Sequence, residues 1–269
     1  MIGSLKASKI YTFLIFLFLY APIIVLVFFS FNSMDSTSKF GGFSLRWYRV
    51  LFENQYTMRS LYNSLIVSTI AAVVSTVMGT VAAIGIFKMK KWLKTSVMNI
   101  TNIPMLNPDI VTGISMLLLF VFIGRLLGLS EMLGFWTVLI AHVTFNLPYV
   151  ILSVLPKLRQ LDKSLEEAAQ DLGCTPVQSF FKAVLPQLTP GILTGMIMAF
   201  TLSIDDFVIS YFTAGPRFET LPIHIFAMTK KRVTPDINAL STILFTIVLV
   251  LLIIINVRQA RDEKLSARA

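Results

Sequence analysis

Six apolar stretches, each long enough to cross a bilayer as a helix, limit this chain more than any other feature. They run from about 10–31, 62–87, 99–123, 135–155, 188–212 and 237–257. An α-helix needs about 20 apolar residues to span a hydrocarbon core of about 30 Å, whereas a membrane barrel is written in alternating segments of about ten residues. The lengths here select helices. A mean hydropathy of +0.77, with 55% hydrophobic and 14% charged residues, excludes a soluble domain of 269 residues. The expected fold is therefore all-α: a polytopic membrane bundle of about six helices, built as one transmembrane domain over 1–269. Lys6 and Lys9 precede the first stretch as they would in a signal peptide. That stretch is too long for a signal core and no small-residue cleavage site follows, so it reads as a retained first span.

The net charge of +9 is distributed around the apolar stretches, which makes it a topological signal and not a nucleic-acid surface. With the N-terminus inside, 14 of the 23 Lys and Arg fall on the cytoplasmic side. Both termini and the segment 162–187 are then expected in the cytoplasm. The run Lys88, Lys90, Lys91, Lys94 belongs to the same pattern, and could also touch anionic lipid. The single cysteine, Cys174, allows no internal disulfide and no cysteine-based metal site.

Two spans carry small residues at every fourth position: Ala71, Ser75, Gly79 and Ala83 in the second, Gly191, Gly195, Ala199 and Ser203 in the fifth. Such stripes let helices approach closely, so both are expected to face the interior. Three carboxylates, Asp109, Asp205 and Asp206, lie in apolar surroundings, where an unpaired charge costs about 2.5–3.5 kcal/mol. They require protonation, water, or a passing cation. On a continuous fifth span Asp206 falls near the small-residue face and Asp205 points elsewhere, which ranks Asp206 first and Asp205 second as pathway residues. For each of the three carboxylates the competing role is to cap a broken helix or to bond within the bundle, and Pro108 before Asp109 makes it strongest there. Trp47 and Tyr48 suit either cation–π contact with an ammonium group or anchorage at the membrane interface. His142 is expected to pack between helices or to hydrogen-bond across the bundle, ahead of any proton relay, and Met105, Met116, Met196 and Met198 to pack.

Between the fourth and fifth spans lies a polar, helix-forming island, Ser164 to Pro190. Ser164 with Glu167 suggests a capping box, followed by one apolar face from Leu165, Ala168, Ala169 and Leu172, and by Gly173 as a stop. Thr175, Pro176 and Gln178 open a second short helix in the same way, and Pro186 is expected to break the chain before the next span.

The order Glu167, Ala168, Ala169, three residues, Gly173, then Leu185 and Pro186 resembles the EAA motif of ABC importer permeases. Ala183 stands where that motif has isoleucine. The stretches LNPDIVTGISMLLLF at 106–120, AHVTFNLPYVI at 141–151, FTLSIDDFVISYFTAGP at 200–216 and INALSTI at 237–243 resemble the polyamine (spermidine/putrescine) permeases of that family. The resemblance implies the type I importer fold and a coupling role for Glu167, Ala168, Ala169, Asp171, Leu172, Gly173, Leu185 and Pro186. It also implies partners: a pair of ABC ATPase subunits, a second homologous permease, and an extracytoplasmic polyamine-binding protein. The chain has no phosphate-binding G-x-x-x-x-G-K-[ST] loop and no H-E-x-x-H, so ATP and Mg are expected on the partner ATPase, with no catalysis and no metal here. A permease for another cation, for thiamine or for iron, and an ion-coupled secondary transporter with proton-carrying aspartates, are the alternatives.

Overall fold

The computed structural model describes residues 2–36, 39–129, 131–162, 164–231 and 235–266, with their side chains described between residues 11 and 250, Lys231 excepted, and at Ile253. Lys163, Arg232 and the side chains of Lys6, Lys9, Arg258, Arg261, Lys264 and Arg268, which entered the charge count, lie outside the described residues. Among the described residues the secondary structure is helical, apart from one isolated bridge between Asn32 and Phe43. In chain order the helices are α1 (Ile2–Ser30), α2 (Arg46–Glu53), α3 (Gln55–Lys88), α4 (Lys91–Leu106), α5 (Asp109–Leu126) and α6 (Phe135–Gln160). They continue as α7 (Ser164–Asp171), α8 (Pro176–Ser179), a π-helical segment (Phe180–Val184), α9 (Leu185–Ile204), α10 (Val208–Thr213), α11 (Leu221–Lys231) and α12 (Pro235–Ser266). Five stretches are long and apolar enough to cross a membrane: Tyr11–Ser30, α3, α5, α6 and Pro176–Ile204. The 32-residue α12 supplies the sixth, with apolar character over Pro235–Val250. The chain is a multi-pass membrane protein.

Proline accounts for the main departures from the six expected spans. The span expected at 99–123 is two helices, because Pro108 has no N–H to donate and pushes Asn107 into an extended conformation (ψ 141°) that ends α4 at Leu106. Pro186, expected to break the chain, does not. The helix widens ahead of it into the π segment, where Leu185 N–H reaches back five residues to Phe180 O, and the chain stays helical from Pro176 to Ile204. The fifth span instead breaks later, between Ile204 and Val208. The loop expected from Asn32 to Leu61 also contains α2 and the first turns of α3.

The single domain expected over 1–269 divides into two compact units, 1–59 with 224–269, and 60–223. In the first, α1 and α2 each pack against α12. Its loop is organised by the buried Asn32. The Asn32 amide donates to Ser36 O (2.8 Å) and Lys39 O (2.7 Å), while its Oδ1 accepts from Met34 N (3.2 Å) and Gly41 N (2.8 Å).

In the second unit α6 is the central element. α9 packs along it, and the buried Val150 of α6 is met from two sides by the small-residue stripes. A Cβ added at Gly79 of α3 would lie 2.7 Å from Val150 Cγ1, and one at Gly195 of α9 would lie 3.2 Å from Val150 Cα. The stripe residues of both helices are buried, as their spacing leads one to expect. Ala72, Ala83, Val154, Leu155, Leu158 and Leu188 complete the surrounding core. Gly79→Leu is expected to cost about 1–3 kcal/mol through overpacking, seen as a lower Tm of the purified protein. Gly85→Leu, where an added Cβ meets nothing within 4 Å, is the control and should leave Tm unchanged.

Candidate functional site

The break in the fifth span places two adjacent carboxylates in different environments. Asp205, with φ −100° and ψ −1°, closes α9 and its side chain is exposed. Asp206 turns inward, with only 10% of its side chain exposed. Its Oδ1 accepts from Ile209 N at 3.3 Å and its Oδ2 from Ser210 N at 2.8 Å, so the carboxylate satisfies amides at the start of α10 that have no helical partner.

Side chains from α6 hold this break from the other side. His142 Nε2 lies 3.3 Å from Asp206 Oδ2 and 3.0 Å from Ser210 Oγ. One turn on, Asn146 donates its amide to Ser203 Oγ at 2.8 Å. At the N-terminus of α6, Thr137 Oγ1 donates to Thr213 O, the last residue of α10, at 2.8 Å. His142, Asn146 and Thr137 are buried. His142 thus makes the bond between helices expected of it. Asn146 and Thr137 were missed, although His142 and Asn146 at i, i+4 in an apolar span signalled a polar face. From the far side, α5 packs on α10 at Gly113, where a Cβ would lie 2.8 Å from Phe212 Cδ2.

The expectation for the two aspartates assumed a continuous helix; with the helix broken at Asp205, Asp206 is bonded to the start of α10 and to His142, and Asp205 is the exposed member. Asp109 opens α5 directly after the proline break and is also exposed. Trp47 and Tyr48 belong to the other unit. Trp47 is buried, donates Nε1–H to Asn32 O at 2.7 Å and has the Arg46 guanidinium 5.2 Å from its ring centroid, so its ring is already engaged. The Tyr48 hydroxyl bonds Ser30 Oγ at 2.8 Å. Both aromatics fasten α2 to the end of α1. Among the described residues no group of three His, Cys, Asp or Glu could hold a metal ion.

The polar island forms the expected helix, turn and helix, with one change at its start. The Ser164 hydroxyl donates to Asp162 Oδ1 (2.8 Å), which also accepts Ser164 N–H (3.0 Å), so Asp162 caps α7 in place of the Ser164–Glu167 box. At the other end Cys174 N donates to Ala169 O (3.1 Å) and Gly173 N to Gln170 O (2.8 Å), a Schellman closure whose φ of +90° at Gly173 suits glycine. Thr175 and Gln178 form the reciprocal box expected of them. The buried Ser179 hydroxyl donates to Glu166 O at 2.9 Å and so fixes α8 against α7. Glu167, Ala168, Asp171 and Pro186 are exposed, Ala169 and Leu185 half-buried. Leu172, Val177 and Phe181 are 88%, 66% and 60% exposed, an apolar set on an otherwise polar segment.

The two bonds from Ser164 hold the Asp162 carboxyl below the usual carboxylate range. A carboxylate with a depressed folded pKa stabilises the fold above its unfolded value and loses that contribution as pH falls through the folded one. Amide-exchange protection in the first turn of α7 should therefore persist down through about pH 4 and fall away below it. In Asp162→Ala it should be reduced above that pH and should approach the parent's below it.

The sequence matches the family model of binding-protein-dependent transport system inner membrane components over residues 75–261. It is 39% identical over 250 residues to the putrescine transport system permease protein PotI of Escherichia coli (strain K12), covering 93% of this chain and 89% of that protein. It is 38% identical over 244 residues to the spermidine/putrescine transport system permease protein PotC of Haemophilus influenzae, covering 91% and 93%. Among solved structures, a bacterial alginate ABC transporter in complex with an alginate pentasaccharide-bound periplasmic protein aligns with a TM-score of 0.72 at 17% identity, over 97% of this chain and 95% of that one. The inward-facing MetNI methionine ABC transporter aligns with a TM-score of 0.60 at 16% identity, over 81% and 97%. At such identities these structures speak for the fold alone.

Proposed function

The chain belongs to the binding-protein-dependent transport system inner membrane components, and on that premise we propose that it is a permease subunit of an ATP-driven importer of polyamines in a bacterial inner membrane. The observation that carries this reading is the 38–39% identity, over more than nine-tenths of the chain, to permeases named for putrescine and for spermidine/putrescine transport. The chemistry of the site supports it. Lys and Arg stand only towards the ends of the spans, and Asp205 and Asp109 offer exposed carboxylates beside helix breaks. Polyamines are flexible polycations, and a few separated carboxylates lower the barrier to their passage without holding them fast.

In this reading the chain forms half of the pathway and a second, homologous permease forms the rest. An extracytoplasmic binding protein delivers the polyamine, and a pair of ATPase subunits on the cytoplasmic side binds ATP and Mg. The segment 162–187 docks on that ATPase and has a mechanical role only. Glu167, Ala168, Ala169, Asp171, Leu172, Gly173, Leu185 and Pro186 belong to the docked element, with the exposed Leu172, Val177 and Phe181 as its apolar contacts. Closure of the ATPase pair moves this element as a rigid body, and the pathway switches from inward-facing to outward-facing. Asp205 is the leading pathway residue and Asp109 the second. Asp206 acts through the helix break, and Trp47 and Tyr48 have structural roles.

Two substitutions test the two halves of this reading. Gly173→Leu forces a side chain into a left-handed turn within open space, so it should change the shape of the docking element and not the interior. The assembled complex is expected to form, with uptake and substrate-stimulated ATP hydrolysis reduced at least roughly tenfold; full activity would remove the docking role. Asp205→Asn deletes a contact to an ammonium group, of a kind worth about 1.5–3 kcal/mol. KM for polyamine uptake should rise roughly tenfold or more, and an unchanged KM would take Asp205 out of the pathway.

A further inference from the structure

The buried polar face of α6 is more elaborate than a packing surface requires. Thr137, His142 and Asn146 bond in turn to the end of α10, to its start, and to the last turn of α9. Together they bracket the break that contains Asp205. Of the three, His142 alone contacts a group that carries charge. Its Nε2 stands between Asp206 Oδ2 at 3.3 Å and Ser210 Oγ at 3.0 Å. Among the described residues its buried Nδ1 has no hydrogen-bond partner. The bonds that orient the ring there come from the α10 side, through Nε2.

We propose that His142 is a positioning residue for transport: its Nε2 holds the Asp206 carboxylate on the start of α10, so that the turn at the break presents Asp205, and not Asp206, as the exposed carboxylate. This rests on the reading of Asp205 as a pathway residue. Without the Nε2 contact, Asp206 keeps its two backbone partners but loses the neighbour that fixes it towards α6. A second carboxylate can then compete for the passing cation, and the geometry of the turn at Asp205 is no longer set.

The test uses two amides that differ only in reach. The Gln side chain extends as far as the Nε2 position and can donate to Asp206; the Asn side chain is one methylene shorter and cannot. His142→Gln, His142→Asn, Asp206→Asn and each His142 variant combined with Asp206→Asn are prepared in the full complex with its ATPase, second permease and binding protein. Uptake of labelled putrescine and of labelled spermidine is measured per assembled complex. His142→Gln is expected to keep kcat and KM within about threefold of the parent. His142→Asn should change kcat/KM at least tenfold. Asp206→Asn should add less than threefold in the His142→Asn background, because the group through which His142 acts is already released.

Equal activity of the Gln and Asn variants overturns the proposal, as does a His142→Asn effect that multiplies independently with that of Asp206→Asn. A His142→Asn variant that merely assembles poorly, with normal transport per assembled complex, overturns it in favour of a folding role. Failure of the underlying pathway reading is seen separately, as an unchanged KM in Asp205→Asn with the His142 pair still divided.

Discussion

A helix that stops inside a membrane leaves backbone N–H groups that neither lipid nor water can satisfy, and the interior of this protein is arranged around meeting that demand. At the break between α9 and α10 the partner is Asp206, whose two oxygens take the amides of Ile209 and Ser210. Using a carboxylate as a cap introduces a charge where charge is costly, and His142 answers it from α6. At the other break the chain takes a cheaper route. Asn107 and Pro108 leave the helix together, and Pro108 has no N–H to satisfy.

The same helix also fixes the surroundings. On one stretch α6 carries Val150, against which Gly79 and Gly195 bring α3 and α9 to backbone distance. About one turn before it lies Asn146, the nearest member of the polar face that holds the break. Close packing and the polar network are thus adjacent on one element. Rigidity contributed by the first keeps the geometry of the second.

Much of this was legible in the sequence, and the exceptions have physical causes. Span number, the small-residue stripes and the helix-turn-helix of the polar island follow from length, spacing and capping chemistry, which act locally. Gly173 and the Thr175–Gln178 box are cases where the local signal was sufficient. The break at Asp205 was not legible, because no proline or glycine marks it; the carboxylate of Asp206 is itself the helix-ending signal, and that is recognisable only once Ile209 and Ser210 are seen to donate to it. The expectation put Asp206 ahead of Asp205 on a continuous helix, whereas the break leaves Asp205 as the exposed carboxylate. Pro186 misled in the opposite direction, since a π turn lets the chain absorb a proline and stay helical. The hydrogen bond of Trp47 was not legible, because its partner, the carbonyl of Asn32, comes from a loop whose fold depends on one buried asparagine.

The central claim is that this chain moves a polycation only when driven by a separate ATPase. It is tested most directly in proteoliposomes, by measuring labelled putrescine and spermidine uptake with the chain alone, with its second permease, and with the complete set of permeases, ATPase and binding protein. The account predicts uptake only from the complete set and only with ATP on the ATPase side. Uptake by the chain without the ATPase, following an imposed ion gradient, would contradict it and would make the intramembrane aspartates the carriers of a coupling ion.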